Sequence, residues 1–211
     1  MEEDPFAHLH DEQYDSALQA RRATAATLVN AHGRPVQSLD GIWRLTLDPF
    51  EEGLRQRWYE YDDAPPDRWD TPRDWQWDAG EPAQVPGCWN LLRPELLHYE
   101  GSAWYVREFD AAPLASGTCA LLQFGAAAQR AEVFLNGVHL GGHLGGSTPF
   151  SLDATAALRA GRNRLMVMVE NARRAERVPM HHFDWFNYGG LHRSVTLLHL
   201  PGAVLHPFAL D

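Results

Sequence analysis

After Leu39-Asp40-Gly41 the chain is cut into short apolar runs by Gly, Pro and Asn, with no long helical pattern between them. This punctuation constrains the fold more than any other feature. Strands that follow one another without crossover helices must pair antiparallel, because a parallel return needs a connection of a dozen or more residues. Seven to nine such strands in about 170 residues bury their apolar faces as two packed sheets or a closed barrel. The expectation is an all-β, two-sheet antiparallel β-sandwich of the jelly-roll type.

The individual runs carry different periods. Trp43, Leu45 and Leu47 alternate with Arg44 and Thr46, as in a half-buried strand. Residues 48–84 are Pro-rich, charged and aperiodic, and read as a long loop that is functional or partly helical. Strands are expected at Trp104–Phe109, Cys119–Phe124 and Ala131–Leu135. The last of these runs into Asn136-Gly137 and then Val138–Leu140, and Asn-Gly between apolar runs favours a type I′ hairpin. Gly141-Gly142 and Gly145-Gly146 read as breaks that let the chain leave the hairpin. Asp153–Leu158 suggests a short helical turn. Arg164–Asn171 contains Leu-Met-Val-Met-Val, a run suited to a strand buried on both faces. A loop over 172–190 precedes a strand at Arg193–Leu200, and Ala203–Leu210 reads as the start of another. Ahead of all this, residues 1–36 form an appendage, partly helical over Asp11–Asn30 and stopped by Gly33-Arg34-Pro35. The expected organisation is the appendage, a sandwich over 37–205, and the start of a linker at 206–211. A chain ending inside an apparent strand reads as a truncation.

Charge and composition narrow the function classes. Lys+Arg 18 against Asp+Glu 28 leaves a net charge of −10, which repels nucleic-acid backbones and anionic membrane surfaces. No apolar run approaches the ~20 residues of a bilayer span. The acidic N-terminus lacks the order of a secretory signal, so a cytoplasmic location is expected. Cys88 and Cys119 are too few for a disulfide framework or a four-cysteine zinc site, and free buried thiols are the default. No phosphate-cradling loop or nucleophile elbow is present, and no cofactor is expected.

An ordered set of motifs runs along the chain: Leu39-Asp40-Gly41-Ile42-Trp43, Arg57-Trp58, Val85-Pro86-Gly87 and Tyr99-Glu100-Gly101-Ser102-Ala103-Trp104-Tyr105. It continues with Val133-Phe134-Leu135-Asn136-Gly137, His143-Leu144-Gly145-Gly146-Ser147-Thr148-Pro149-Phe150, and the stretch from Phe183 to Val195. The set resembles glycoside hydrolase family 2, which includes β-glucuronidases and β-galactosidases. The His-x-Gly-Gly-x-Thr-Pro-Phe and Phe-Asn-Tyr-Gly-Gly stretches are most similar to the β-glucuronidase branch. The resemblance implies an N-terminal, galactose-binding-like jelly roll that binds carbohydrate. It also implies an immunoglobulin-like domain and a (β/α)8 barrel as following partners, the barrel carrying both catalytic glutamates. The family often forms oligomers, so a homo-oligomer is a further expectation. No catalytic residue is expected in this chain, because retaining hydrolysis needs two carboxyls about 5–5.5 Å apart and no motif here supplies them.

By the same resemblance, Asp184 accepts hydrogen bonds from hydroxyls of a β-glycoside, with Trp185, Asn187 and Tyr188 beside it. The alternative is that Asp184 caps a turn, aided by Asn187 and Gly189-Gly190. His181, His182 and His192 flank Asp184, but adjacent histidines point to opposite faces of a strand, and loop packing is the plainer account. Five of the eight tryptophans (Trp58, Trp69, Trp75, Trp77 and Trp89) crowd into one stretch. Packing explains most of them, Trp58 and Trp89 above all. Trp75 and Trp77 are the candidates for a sugar-stacking pair. Glu95 and Glu100 read as solvated loop carboxylates. A stand-alone carbohydrate-binding module and an interaction or oligomerisation β-sandwich remain the alternative functions.

Overall fold

A computed structural model describes residues 34–60, 79–175, 180 and 184–201. Trp69, Trp75, Trp77, His181, His182, the helical appendage and the expected strand at Ala203–Leu210 lie outside them. Ten strands run through the described residues. They are β1 (Val36–Ser38), β2 (Gly41–Asp48), β3 (Glu81–Val85), β4 (Ser102–Ala111) and β5 (Thr118–Phe124), then β6 (Arg130–Leu135), β7 (Val138–Leu144), β8 (Phe150–Asp153), β9 (Gly161–Glu170) and β10 (Val195–Pro201). They form two sheets, of order β3-β2-β4-β9-β6-β7 and β1-β10-β5-β8, and every pairing is antiparallel. The fold is the expected jelly-roll sandwich. Among the described residues no helix is long and apolar enough to cross a membrane.

Alternation places the core between the sheets. Trp43, Leu45, Tyr105, Val133, Leu135, Leu165, Val167 and Val169 meet Leu122, Phe124, Leu152, Val195 and Leu197. The six-stranded sheet has a second apolar layer on its other face, where Trp104, Val106, Phe134, Met166 and Met168 pack under Trp58. β9 therefore contributes Leu165, Val167 and Val169 to one layer and Met166 and Met168 to the other, as its unbroken apolar run leads one to expect.

The cover over the second layer comes from the stretch after β2. Asp48 accepts the backbone N–H groups of Glu52 and Gly53, each at 2.8 Å, and so seats the short helix α1 (Glu52–Arg55). Its Oδ2 also accepts the Trp104 indole N–H at 3.1 Å. Trp58 and Trp89 are buried, as expected of packing residues. Beside the second layer lies a buried charge cluster. Glu132 is within 2.9 Å of His139 and 3.2 Å of Arg130, while Glu170 is held by Arg174 at 2.9 Å.

Four local expectations are corrected. The segment 48–84 reads as a long loop, functional or partly helical, with no strand; it does carry α1, yet Glu81–Val85 forms β3 on the edge of the large sheet. An edge strand tolerates Pro82, whose missing N–H would break an interior ladder. β1 begins at Val36, inside the expected appendage. Gly141 and Gly142 are part of β7 rather than a break. A Cβ on Gly142 would come within 2.4 Å of Glu132 Oε2, so the glycine makes room for a buried carboxylate on the adjacent strand. Cys88 and Cys119 are separate thiols of intermediate exposure, less buried than expected. The Asn136-Gly137 hairpin does form, with φ of 52° and 82° as a type I′ turn requires.

Candidate functional site

The loop that returns to β10 is laid down by asparagines and a glycine. Asn171, just past β9, donates from Nδ2 to the Asn187 carbonyl at 2.7 Å, and the Asn187 side chain donates back to the Asn171 carbonyl. Asn171 Oδ1 also accepts the Gly101 N–H at 2.9 Å, which ties the same point to the start of β4. Asn90 Oδ1 accepts the Gly189 N–H at 2.7 Å, and the Gly189 carbonyl accepts the Trp89 N–H at 3.0 Å. Gly189 lies flat on the Trp89 indole, where a Cβ would fall 1.8 Å from Cζ2. The Tyr-Gly-Gly part of the loop is thus a strap pressed onto the core.

The residues just before the strap face outward. Asp184, Trp185, Phe186 and Tyr188 are exposed, and Phe186 stacks on His98 with centroids 5.6 Å apart. The first three border a cleft of about 270 Å³ lined by Asn90, residues 97, 98 and 100, Arg173 and residues 184–187. Arg173 is one of its lining residues. Its Nη2 donates to the Trp185 carbonyl at 2.7 Å, and its Nε sits 2.9 Å from Glu100 Oε1 in an ion pair rather than a directed hydrogen bond. The Asp184 carboxylate takes no hydrogen bond or ion pair from any described residue, so it is not the turn cap of the alternative reading.

Asp184 and Trp185 line the cleft, whereas Tyr188 is not among its lining residues, its ring centroid lying 5.9 Å from that of Phe186. Asn187 borders the cleft but is only 8% exposed, with its amide committed to Asn171, so it holds the loop more than it faces solvent. Glu100, read as a solvated loop carboxylate, is instead a member of the cleft and a partner of Arg173. Arg173 and His98 had no signal in the sequence. Glu100 had one, its place in the Tyr99-Glu100-Gly101 stretch. Burial holds the His192 imidazole below its usual range, partly offset by the Gly190 carbonyl. Among the described residues no three His, Cys, Asp or Glu side chains group as metal ligands.

Known proteins share this fold. The family described as glycosyl hydrolases family 2, sugar binding domain, matches residues 36–201. A β-glucuronidase of Paenibacillus borealis is 29% identical over 199 residues, covering 84% of this chain and 31% of the relative. The human β-glucuronidase is 27% identical, covering 80% of this chain and 29% of the relative. Among solved structures, an uncultured Clostridium sp. β-glucuronidase superposes with a TM-score of 0.68 at 29% identity, over 83% of this chain and 30% of that one. A Ruminococcus gnavus β-glucuronidase in complex with D-glucuronic acid gives a TM-score of 0.68 at 26% identity, over 84% of this chain and 31% of that one. The chain thus spans less than a third of the length of these relatives. With a two-sheet jelly roll matched along nearly all of its described length, the chain belongs to the sugar-binding domain family of the family 2 glycosyl hydrolases.

Proposed function

We propose that this domain serves a β-glucuronidase-type glycoside hydrolase, and that Asp184 accepts hydrogen bonds from hydroxyl groups of the β-glycoside. The observation that carries the reading is an exposed carboxylate, unengaged by any described residue, at the lip of a cleft whose loop is anchored through its backbone. A charged acceptor binds O–H donors more strongly than a neutral one. Trp185 and Tyr188 offer apolar ring faces to the C–H side of a sugar, and Asn187 keeps the loop in place. Trp75 and Trp77 stay candidates for stacking.

The carboxylates that cut the bond belong, in this reading, to a barrel domain reached through an immunoglobulin-like one. Within the cleft Glu100 is engaged by Arg173, and in this reading neither it nor Asp184 takes the acid or nucleophile role of retaining hydrolysis. Titration of the 211-residue chain with D-glucuronate tests the proposal. Binding should be weak, on the order of millimolar, and measurably weaker still in Asp184→Asn. The pure chain should leave 4-nitrophenyl β-D-glucuronide uncut, and measurable turnover would overturn this assignment of roles.

The exposed rings of Trp185, Phe186 and Tyr188 favour a second use of the same face, contact with a neighbouring domain or a second copy. Sedimentation that depends on concentration but not on sugar would support it.

A further inference from the structure

We infer that Arg173, braced by Glu100, is the positioning residue for Asp184. This rests on the reading of Asp184 given above and deepens it by naming the pair that sets where the carboxylate stands.

Arg173 leaves the end of β9 and is only 18% exposed at its side chain. One guanidinium joins three stretches of chain: its own, the entry to β4 through Glu100, and the loop through the Trp185 carbonyl. A planar fork can meet a carboxylate and a carbonyl in different directions at once, whereas an ammonium is a single point of charge on a flexible stem. A second anchor lies two residues on, where Asn171 holds the Asn187 carbonyl. Between the two anchors, Phe186 is stacked on His98.

Asp184 immediately precedes the first anchored carbonyl, and no described residue bonds its own carboxylate. Its place is therefore inherited from the backbone of Trp185. A binding carboxylate has to be held without consuming the oxygens that the ligand needs. Backbone anchoring by a neighbouring cation meets that requirement, and direct pairing with a cation would not.

The test uses Arg173→Ala, Arg173→Lys, Glu100→Gln, Asp184→Asn and the Arg173→Ala/Asp184→Asn double variant of the whole chain. D-glucuronate binding is followed by ¹H–¹⁵N NMR, backbone relaxation is recorded without ligand, and thermal unfolding checks the fold. If the unclamped loop presents the carboxylate correctly in about a fifth of molecules, Arg173→Ala weakens binding about fivefold. Arg173→Lys recovers only part of the loss. In the Asp184→Asn background the arginine change costs nothing further, because its effect runs through the carboxylate. Order at residues 184–188 falls in Arg173→Ala while β9 keeps its own.

Unchanged loop order or unchanged affinity in Arg173→Ala overturns the inference. So does an additive loss in the double variant, which would make Arg173 a direct ligand contact. Should Arg173→Ala not fold, Arg173→Lys and Glu100→Gln carry the same comparison. Binding that Asp184→Asn leaves intact, or no binding by the parent chain, overturns the Asp184 reading itself and the inference with it. That result differs from a failure confined to the arginine variants.

Discussion

Glu132 shows how a single buried charge is kept ionised. Burial acts to raise its pKa, but the hydrogen bond from His139 and the charge of Arg130 outweigh it and hold the carboxyl below its ordinary 4.5. A carboxyl that binds its proton less readily when folded stabilises the fold above its unfolded value and loses that stabilisation as pH falls toward the folded one. Urea unfolding should show stability declining from about pH 5 downward. Glu132→Gln should flatten that decline and lose about 3 kcal/mol at neutral pH, since Arg130 and His139 are left facing an uncharged amide. An unchanged acid limb in the variant would contradict this. At this scale the site was only partly legible. Asp184 stands in a motif that could be recognised whole, but Glu100 and Arg173 lie 73 residues apart and meet only through the β4–β9 pairing. No local pattern carries that information.

Among the elements, the turn of the β6–β7 hairpin is the piece whose chemistry was most legible. Its two turn residues impose positive φ locally, so Asn136-Gly137 announces itself without help from the rest of the chain. The Asn136 side chain does more. It donates to the Ala157 carbonyl and to Asn163 Oδ1, each at 2.8 Å, and accepts the Arg164 N–H at 2.9 Å, locking the hairpin to β9. Asn136→Ala should cost about 2–3 kcal/mol in chemical denaturation, because partners on three other residues lose their mate. Asn136→Gly, which keeps the turn and loses the same bonds, should cost nearly as much. The glycines of β7 and the strand β3 were misread for a common reason. Gly142 exists for Glu132 on the neighbouring strand, and Glu81–Val85 becomes a strand because β2 offers it an edge. Both causes lie across a sheet, outside the local window.

For the molecule as a whole, the decisive fact is that the large sheet is apolar on both faces. β9 sits between β4 and β6 within it, with Val167 against the inter-sheet core and Met166 and Met168 under Trp58 and Trp104. Over Leu165–Val169 the strand has no open side, neither edge nor face, by which water can reach it short of complete unfolding. Deuterium uptake followed by mass spectrometry should find Leu165–Val169 the slowest peptide to label, with a protection energy equal to the global value, while edge strands β3 and β7 label sooner. Labelling of all three at one rate would count against it. Asn171 and Arg173 continue directly from this strand, so the loop at 184–188 hangs from the portion of the protein that breathes least.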